Sequence, residues 1–287
     1  MENKLTPILE KVARPKQMPD GSLVPALTVT QIEELAVQFG TSNKAVEIAA
    51  LEIHIYPERY TRNFNTYDPQ DQIRLLKSRV SVIGLGGLGG TVIEWLSRVG
   101  IGHMTLIDGD RFEDHNLNRQ LLCTQERIGT TKSRAAAERV CGINSSITVT
   151  AHTTFLTSDN ADRLINDSDV VVDCLDNIES RFVLETAAKK AGIPFVSAAV
   201  GGVAGQVTTI FPQDKGLELI YGPKESLKES KGVERILGCL PQAVGLIASA
   251  QSSEVIKILL EQNDELLRNK MLLVDLSTHT YETLHLM

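Results

Sequence analysis

Cysteine is scarce in this chain: four residues, Cys123, Cys141, Cys174 and Cys239, are spread through 287. None stands in a Cys-x-x-Cys pair. That argues against a disulfide scaffold and against a four-cysteine zinc site, and it suits a reducing, cytoplasmic setting. Long apolar runs are missing too. No stretch reaches the roughly 18 to 20 residues that a membrane span requires. The opening "MENKLTPILEK" lacks the apolar core of a secretory leader, so neither export nor membrane association is expected. Basic charge is in deficit, with 29 lysines and arginines against 36 acids and a formal net charge of −7. A broad basic face for nucleic acid is therefore not expected.

What is present is ordinary globular material, 42% hydrophobic and 23% charged. The length suffices for one large domain, or for a domain with a small appendage. Residues 1–57 read differently from the rest. "TVTQIEELAVQFGTSNKAVEIAALEIHI" predicts two short helices around Phe39-Gly40-Thr41-Ser42, with Thr41 or Ser42 capping the second. The pattern is compatible with a helix-turn-helix, but a helical pair packed on the main body suits the acidic chain better. We therefore expect a helical N-terminal extension over 1–57 and a larger domain over 58–287.

From Arg79 onward, strand-like and helix-like segments alternate: "RVSVIGL", "GTVIEWLSRVG", "HMTLIDGD", "TKSRAAAERVCGIN", "ITVTAHTTFL", "DVVVDCLD", "IESRFVLETAAKKAG" and "IPFVSAAV". The alternation predicts an α/β fold with a Rossmann-like, mainly parallel sheet flanked by helices. "GQVTTIFP" adds a strand, and charged residues 213–237 read as a crossing loop or mobile segment. "LPQAVGLIASAQSSEVIKILLE" predicts a long buried helix. The last residues predict an antiparallel hairpin.

"SVIGLGGLGG" (residues 81–90) carries the first chemistry. Gly84, Gly86 and Gly89 fit Gly-x-Gly-x-x-Gly, with Gly87 and Gly90 in addition. Such a loop turns tightly, admits a phosphate to the backbone and opens a helix whose N-terminal amides face the anion. Asp108 follows 24 residues after Gly84, at the end of the next strand, where an acid bonds ribose hydroxyls. A nucleotide is expected, without distinction between a redox cofactor and ATP.

The block Asn116-Leu117-Asn118-Arg119-Gln120 bears on that choice. Arg119 offers a fork of donors to phosphate, and Asn116 and Gln120 offer neutral hydrogen bonds. Lys132, at a helix start, could reach the same phosphates. In "VVVDCLDNIESR", Asp173 and Asp176 end a buried strand, where a carboxylate can hold Mg²⁺ on a triphosphate. Asp176 could alternatively cap the next helix, and Arg181 could be a surface charge or a partner for Asp176.

In this order and spacing, "RVSVIGLGGLGG", "LIDGD…NLNRQ", "GTTKSRAA" and "VVVDCLDNIESR" resemble the ubiquitin-activating-enzyme-like (ThiF/MoeB/HesA) adenylyltransferases. "ERYTRN" upstream is similar to the family's Arg-Tyr-x-Arg segment, and "GLIASAQSSEVIKILL" to its buried helix. The resemblance implies a homodimeric ATP-dependent enzyme that adenylates the C-terminal glycine of a ubiquitin-like sulfur carrier ending in Gly-Gly. It implies ATP contacts from Gly84, Gly86, Gly87, Gly89, Asp108 and Asp110. Further contacts would come from Asn116, Arg119, Gln120, Lys132, Asp176 and Asn177. Of these, Asn116, Arg119 and Lys132 would stabilise the transition state, and Asp176 would coordinate Mg²⁺. Arg62 would reach the partner subunit's ATP.

Two departures matter. Relatives with a structural zinc carry two Cys-x-x-Cys pairs, so no zinc is expected here. Cys239 stands near the position of a catalytic cysteine in some relatives, although a small buried residue at a helix start is the simpler reading. Three alternatives remain open: adenylation of a small-molecule, peptide or tRNA-linked carboxylate, an NAD-dependent oxidoreductase, and a nucleotide-bound module without catalysis.

Overall fold

A computed structural model describes residues 2–63, 65–223 and 237–286. The N-terminal part holds helices α1 (Glu2–Val12), α2 (Val29–Phe39) and α3 (Asn43–Glu52). Thr28 and Gln31 form a reciprocal capping box at the start of α2, and Gly40 ends it in the left-handed conformation (φ 60°). Ser42 caps α3 by accepting the Ala45 N–H at 3.2 Å. The extension is not purely helical. Strands β1 (Arg14–Gln17) and β2 (Leu23–Leu27) form an antiparallel hairpin, and β3 (Tyr56–Pro57) joins β2 in parallel. These short strands, rich in proline and exposed polar residues, lack the alternation that would have announced them.

Leu9, Leu27, Ile32, Val46 and Ala50 give this part its own apolar cluster. The N-terminal end of α3 is spent on the main body. Lys44 Nζ donates to the Gly102 carbonyl at 2.9 Å, and Asn43 Nδ2 donates to Ser145 Oγ at 3.1 Å. The second helix of the pair is therefore tied to the larger part.

The larger part begins with α4 (Pro69–Lys77) and is built on eight strands. They are β4 (Arg79–Ile83), β5 (His103–Ile107), β6 (Thr148–His152), β7 (Val170–Asp173), β8 (Phe195–Gly201), β9 (Ala204–Ile210), β10 (Lys270–Asp275) and β11 (Thr280–His285). Their spatial order is β6-β5-β4-β7-β8-β9-β10-β11. The first five are parallel; β9, β10 and β11 continue the sheet antiparallel, ending in the expected hairpin.

Both faces are covered, which is why β7 reads as an unbroken buried run. Val80, Val82, Val170 and Val172 face one layer with α5 (Gly87–Val99), α6 (Lys132–Ile143) and α10 (Pro241–Leu259). Ile83, Ile107 and Val171 face the other, with α7 (Ala161–Ile165) and α8 (Ile178–Ala191). Of the charged segment 213–237, the first residues are anchored. Asp214 pairs with Arg268 at 2.8 Å, and α9 spans Glu218–Tyr221. Residues 224–236 lie outside the described residues. Among the described residues, no helix is long and apolar enough to cross a membrane.

Candidate active site

From β4 the chain passes outward to β5 and β6, and from β7 it passes outward the other way to β8. The crevice at the carboxyl ends of β4 and β7 is thus the topological switch point, where open α/β sheets bind ligands. A cavity of ≈ 930 Å³ lies there. Gly84, Gly86 and Gly87 line it, and the N-terminus of α5 opens at Gly87. Gly84 has φ +87°, and a Cβ on it would meet the Cys174 carbonyl oxygen at 2.5 Å. A Cβ on Gly89 would stand 1.8 Å from the Gly84 carbonyl oxygen. Only glycine lets helix and loop close to this distance.

Asp108 holds that loop. Its Oδ2 accepts the Leu85 N–H at 2.7 Å, and its Oδ1 accepts the Asp110 N–H at 2.7 Å. Burial pushes its carboxyl above the usual range, against the pull of these bonds and of the Lys132 charge. Asp110 pairs with Lys132 at 2.9 Å, and both line the cavity.

Arg119 also lines the cavity, half-buried. Its Nη1 donates to the His115 carbonyl at 3.1 Å and to Asn118 Oδ1 at 2.9 Å. Both acceptors are neutral, and no ion pair of Arg119 occurs among the described residues, so its charge is uncompensated. Gln120 is 6% exposed, and its Oε1 has no hydrogen-bond partner among the described residues.

Asn116 departs from its expected place. It does not line the cavity; its side chain is buried and accepts the Glu113 N–H at 3.1 Å. Its carbonyl accepts the N–H groups of Arg119 and Gln120 at 3.2 and 2.9 Å. It therefore shapes the turn that presents Arg119. Asn118 and His115 take the cavity wall instead.

The acids after β7 divide in a way the sequence left open. Asp173 is fully buried and does not line the cavity. It accepts from Arg181 Nη1 at 2.8 Å and Ser197 Oγ at 2.6 Å. Burial raises its carboxyl pKa, opposed by the guanidinium. Arg181 is neither a surface charge nor a partner of Asp176: it also donates to the Ala198 carbonyl at 2.6 Å and to that of Leu175. Gln251 on α10 adds donors to the Asp173 and Val196 carbonyls at 2.7 and 3.1 Å. Asp173 thus fastens the strand ends that frame the cavity. Asp173→Ala removes the buried carboxylate that Arg181 and Ser197 both bond, and we expect a loss of about 3–5 kcal/mol in urea unfolding. A change below about 1 kcal/mol would contradict this role.

Asp176 is exposed and lines the cavity. It does not cap α8; Asn177 does, by accepting the Ser180 N–H at 2.8 Å. The Asp176 Oδ1 accepts a long 3.4 Å contact from Asn177 Nδ2, too weak to commit the carboxylate. No group of three or more potential metal-ligating His, Cys, Asp or Glu residues occurs among the described residues. An exposed carboxylate on the cavity wall fits Mg²⁺ carried by a nucleotide, which needs few protein ligands.

Cys239 is half-buried at the cavity wall, and its carbonyl accepts from Asn118 Nδ2 at 3.3 Å. Cys174 is buried, and burial pushes its thiol well above the usual value, which suits packing and not nucleophilic attack. Arg62 is exposed and does not line this chain's own cavity. Phe155, 64% exposed on the cavity wall and stacked over Gly109, carried no sequence signal.

Residues 60–287 match the ThiF family. The SAMP-activating enzyme E1 of Haloferax volcanii is 34% identical over 230 residues, covering 79% of this chain and 84% of that protein. The adenylyltransferase and sulfurtransferase MOCS3 of Culex quinquefasciatus is also 34% identical over 230 residues, 79% of this chain but 52% of that protein. The chain spans about half the length of such MOCS3 proteins. In fold it resembles the crystal structure of E. coli MccB with ATP, with a TM-score of 0.69 at 21% identity over 79% of this chain and 71% of that one. Fold, site and relatives define an E1-like adenylyltransferase. The chain belongs to the ThiF family.

Proposed function

We propose that this enzyme uses MgATP to adenylate the C-terminal glycine of a ubiquitin-like sulfur carrier ending in Gly-Gly. The observation that carries the reading is Arg119, a guanidinium with no ion pair among the described residues, on the cavity wall beside the glycine loop. A carrier carboxylate oxygen attacks the α-phosphorus of ATP. The bond from that phosphorus to the bridging oxygen breaks, and pyrophosphate leaves with its electron pair. Gly84, Gly86 and Gly87 cradle the phosphates, Gly89 lets the helix pack close enough to aim its amides at them, and Asp108 takes the ribose. Gln120, whose buried oxygen has no partner among the described residues, accepts a donor from the bound substrates. Arg119 and Lys132 oppose the charge that builds on the phosphate oxygens, where fixed charges act most strongly. Asp176 would hold Mg²⁺ brought by the nucleotide, and the ion would supply neutralisation of part of the triphosphate charge.

The relatives' names support the substrate class: one activates SAMP, and MOCS3 is an adenylyltransferase and sulfurtransferase. Arg62, exposed and away from its own cavity, suits a homodimer in which each subunit completes the other's site. We place adenylation in residues 58–287, in the cytoplasm and without a structural zinc, and treat 1–57 as an extension with its own apolar cluster.

ATP–pyrophosphate exchange tests the reading. Exchange should require a carrier with an intact C-terminal Gly-Gly and stop when that glycine is removed. Exchange with a small acid or peptide and no carrier would move the substrate class to the alternative. No exchange with any acceptor, together with tight NAD binding, would sink adenylation. Cys239→Ala should leave exchange intact even if a later thiol transfer is lost.

A further inference from the structure

Lys132 is a cation in a poor place for one. Its side chain is 9% exposed. It is the first residue of α6, and the N-terminal end of a helix carries partial positive charge that disfavours a cation. A desolvated ammonium in that position requires a counter-charge. Among the described residues the carboxylate that meets it is Asp110, at 2.9 Å. Asp110 also holds the lysine's main chain, its carbonyl accepting the Lys132 N–H at 2.9 Å. Its own N–H donates to Asp108, which in turn accepts the N–H of Leu85 in the glycine loop. Glycine loop, nucleotide acid and lysine are therefore joined in one hydrogen-bonded line, with Asp110 as the link. The Asp110 side chain is 52% exposed, so it is the partner able to yield.

We infer that Asp110 is a positioning residue, not a nucleotide contact: it parks the Lys132 ammonium at the cavity wall and hands it to the triphosphate when ATP enters. A polyphosphate offers the ammonium more negative charge than one carboxylate, so the exchange runs toward ATP. The backbone bond fixes only the start of the lysine stem; the carboxylate aims its tip, so that the ammonium is in line when the phosphates arrive. The rate arm of the test below rests on the proposed adenylation; the binding arm does not.

Asp110→Asn keeps both backbone bonds and nearly the same shape while removing the charge. By calorimetry, ATP should bind as tightly as before or more tightly, because one negative charge near the polyphosphate is gone, and AMP affinity should not change. In exchange assays kcat should fall by about 10²-fold, the cost of a misaimed group, while KM for ATP stays within about threefold. In a Lys132→Met background the same change should lower kcat no further. Asp110→Glu, which restores the charge on a longer stem, should recover part of the rate. Weakening of ATP and AMP alike by about tenfold or more with unchanged kcat would overturn the inference and make Asp110 a nucleotide contact. So would a loss that multiplies the Lys132→Met defect. If the wild-type enzyme shows no exchange, adenylation fails, and the ATP and AMP affinities still decide the role of Asp110.

Discussion

Arg119→Ala is expected to lower kcat for ATP–pyrophosphate exchange by about 10²–10³-fold, the range for removing one preorganised donor from a developing oxyanion. The argument rests on where the guanidinium is and what it lacks. Its bonds go to the His115 carbonyl and the Asn118 amide, both neutral, so its charge is available to a ligand. The turn built on Asn116 fixes its direction before substrate arrives. A contact that strengthens as charge moves onto the leaving pyrophosphate acts on kcat more than on ATP affinity. We expect the dissociation constant of ATP to rise by only about fivefold or less. Arg119→Lys should restore little, because an ammonium replaces the planar fork by a point charge. An equal loss of affinity and rate would assign Arg119 to ground-state binding.

Gly89→Ala is expected to abolish measurable ATP binding and to destabilise the protein by at least about 3 kcal/mol, at or beyond the upper range for overpacking. The added methyl would stand 1.8 Å from the Gly84 carbonyl oxygen and 3.3 Å from Cys174 Cβ. Neither neighbour is the tip of a flexible chain, so α5 itself must shift. The helix carries Val92, Ile93 and Leu96 into the core, which ties its position to the sheet. Its displaced N-terminus would then present its amides to the wrong place. ATP titration and thermal unfolding of the purified variant check both arms. Wild-type affinity at wild-type stability would show that the loop tolerates a side chain here.

Several parts of this architecture were legible in order and composition. The alternation after Arg79, the glycine loop and Asp108 at the end of β5 all depend on near neighbours in the chain, where periodicity and turn chemistry act. The N-terminal hairpin was not legible, because β1 and β2 are short and lack a clear alternating pattern. That the Asn116 side chain turns to its own backbone was not legible for a related reason. The residue type predicts a hydrogen bond but not whether the partner is a phosphate or the backbone three residues away.

The pair Asp173 and Asp176 makes the division plainest. Sequence alone placed both at the carboxyl end of a buried strand, and there they are. It could not say which one faces the cavity, because that depends on the pleat of β7 and on Arg181 reaching it from α8. Nor could it show that Lys132 would find its counter-charge in Asp110, 22 residues earlier. Sequence determined the strand–helix order, the glycine loop and the stock of charges, since those follow from local backbone preference and side-chain chemistry. Tertiary structure decided which charges neutralise one another and which stay available to a ligand, since a charge is settled by whatever carboxylate or guanidinium the fold brings within about 3 Å of it.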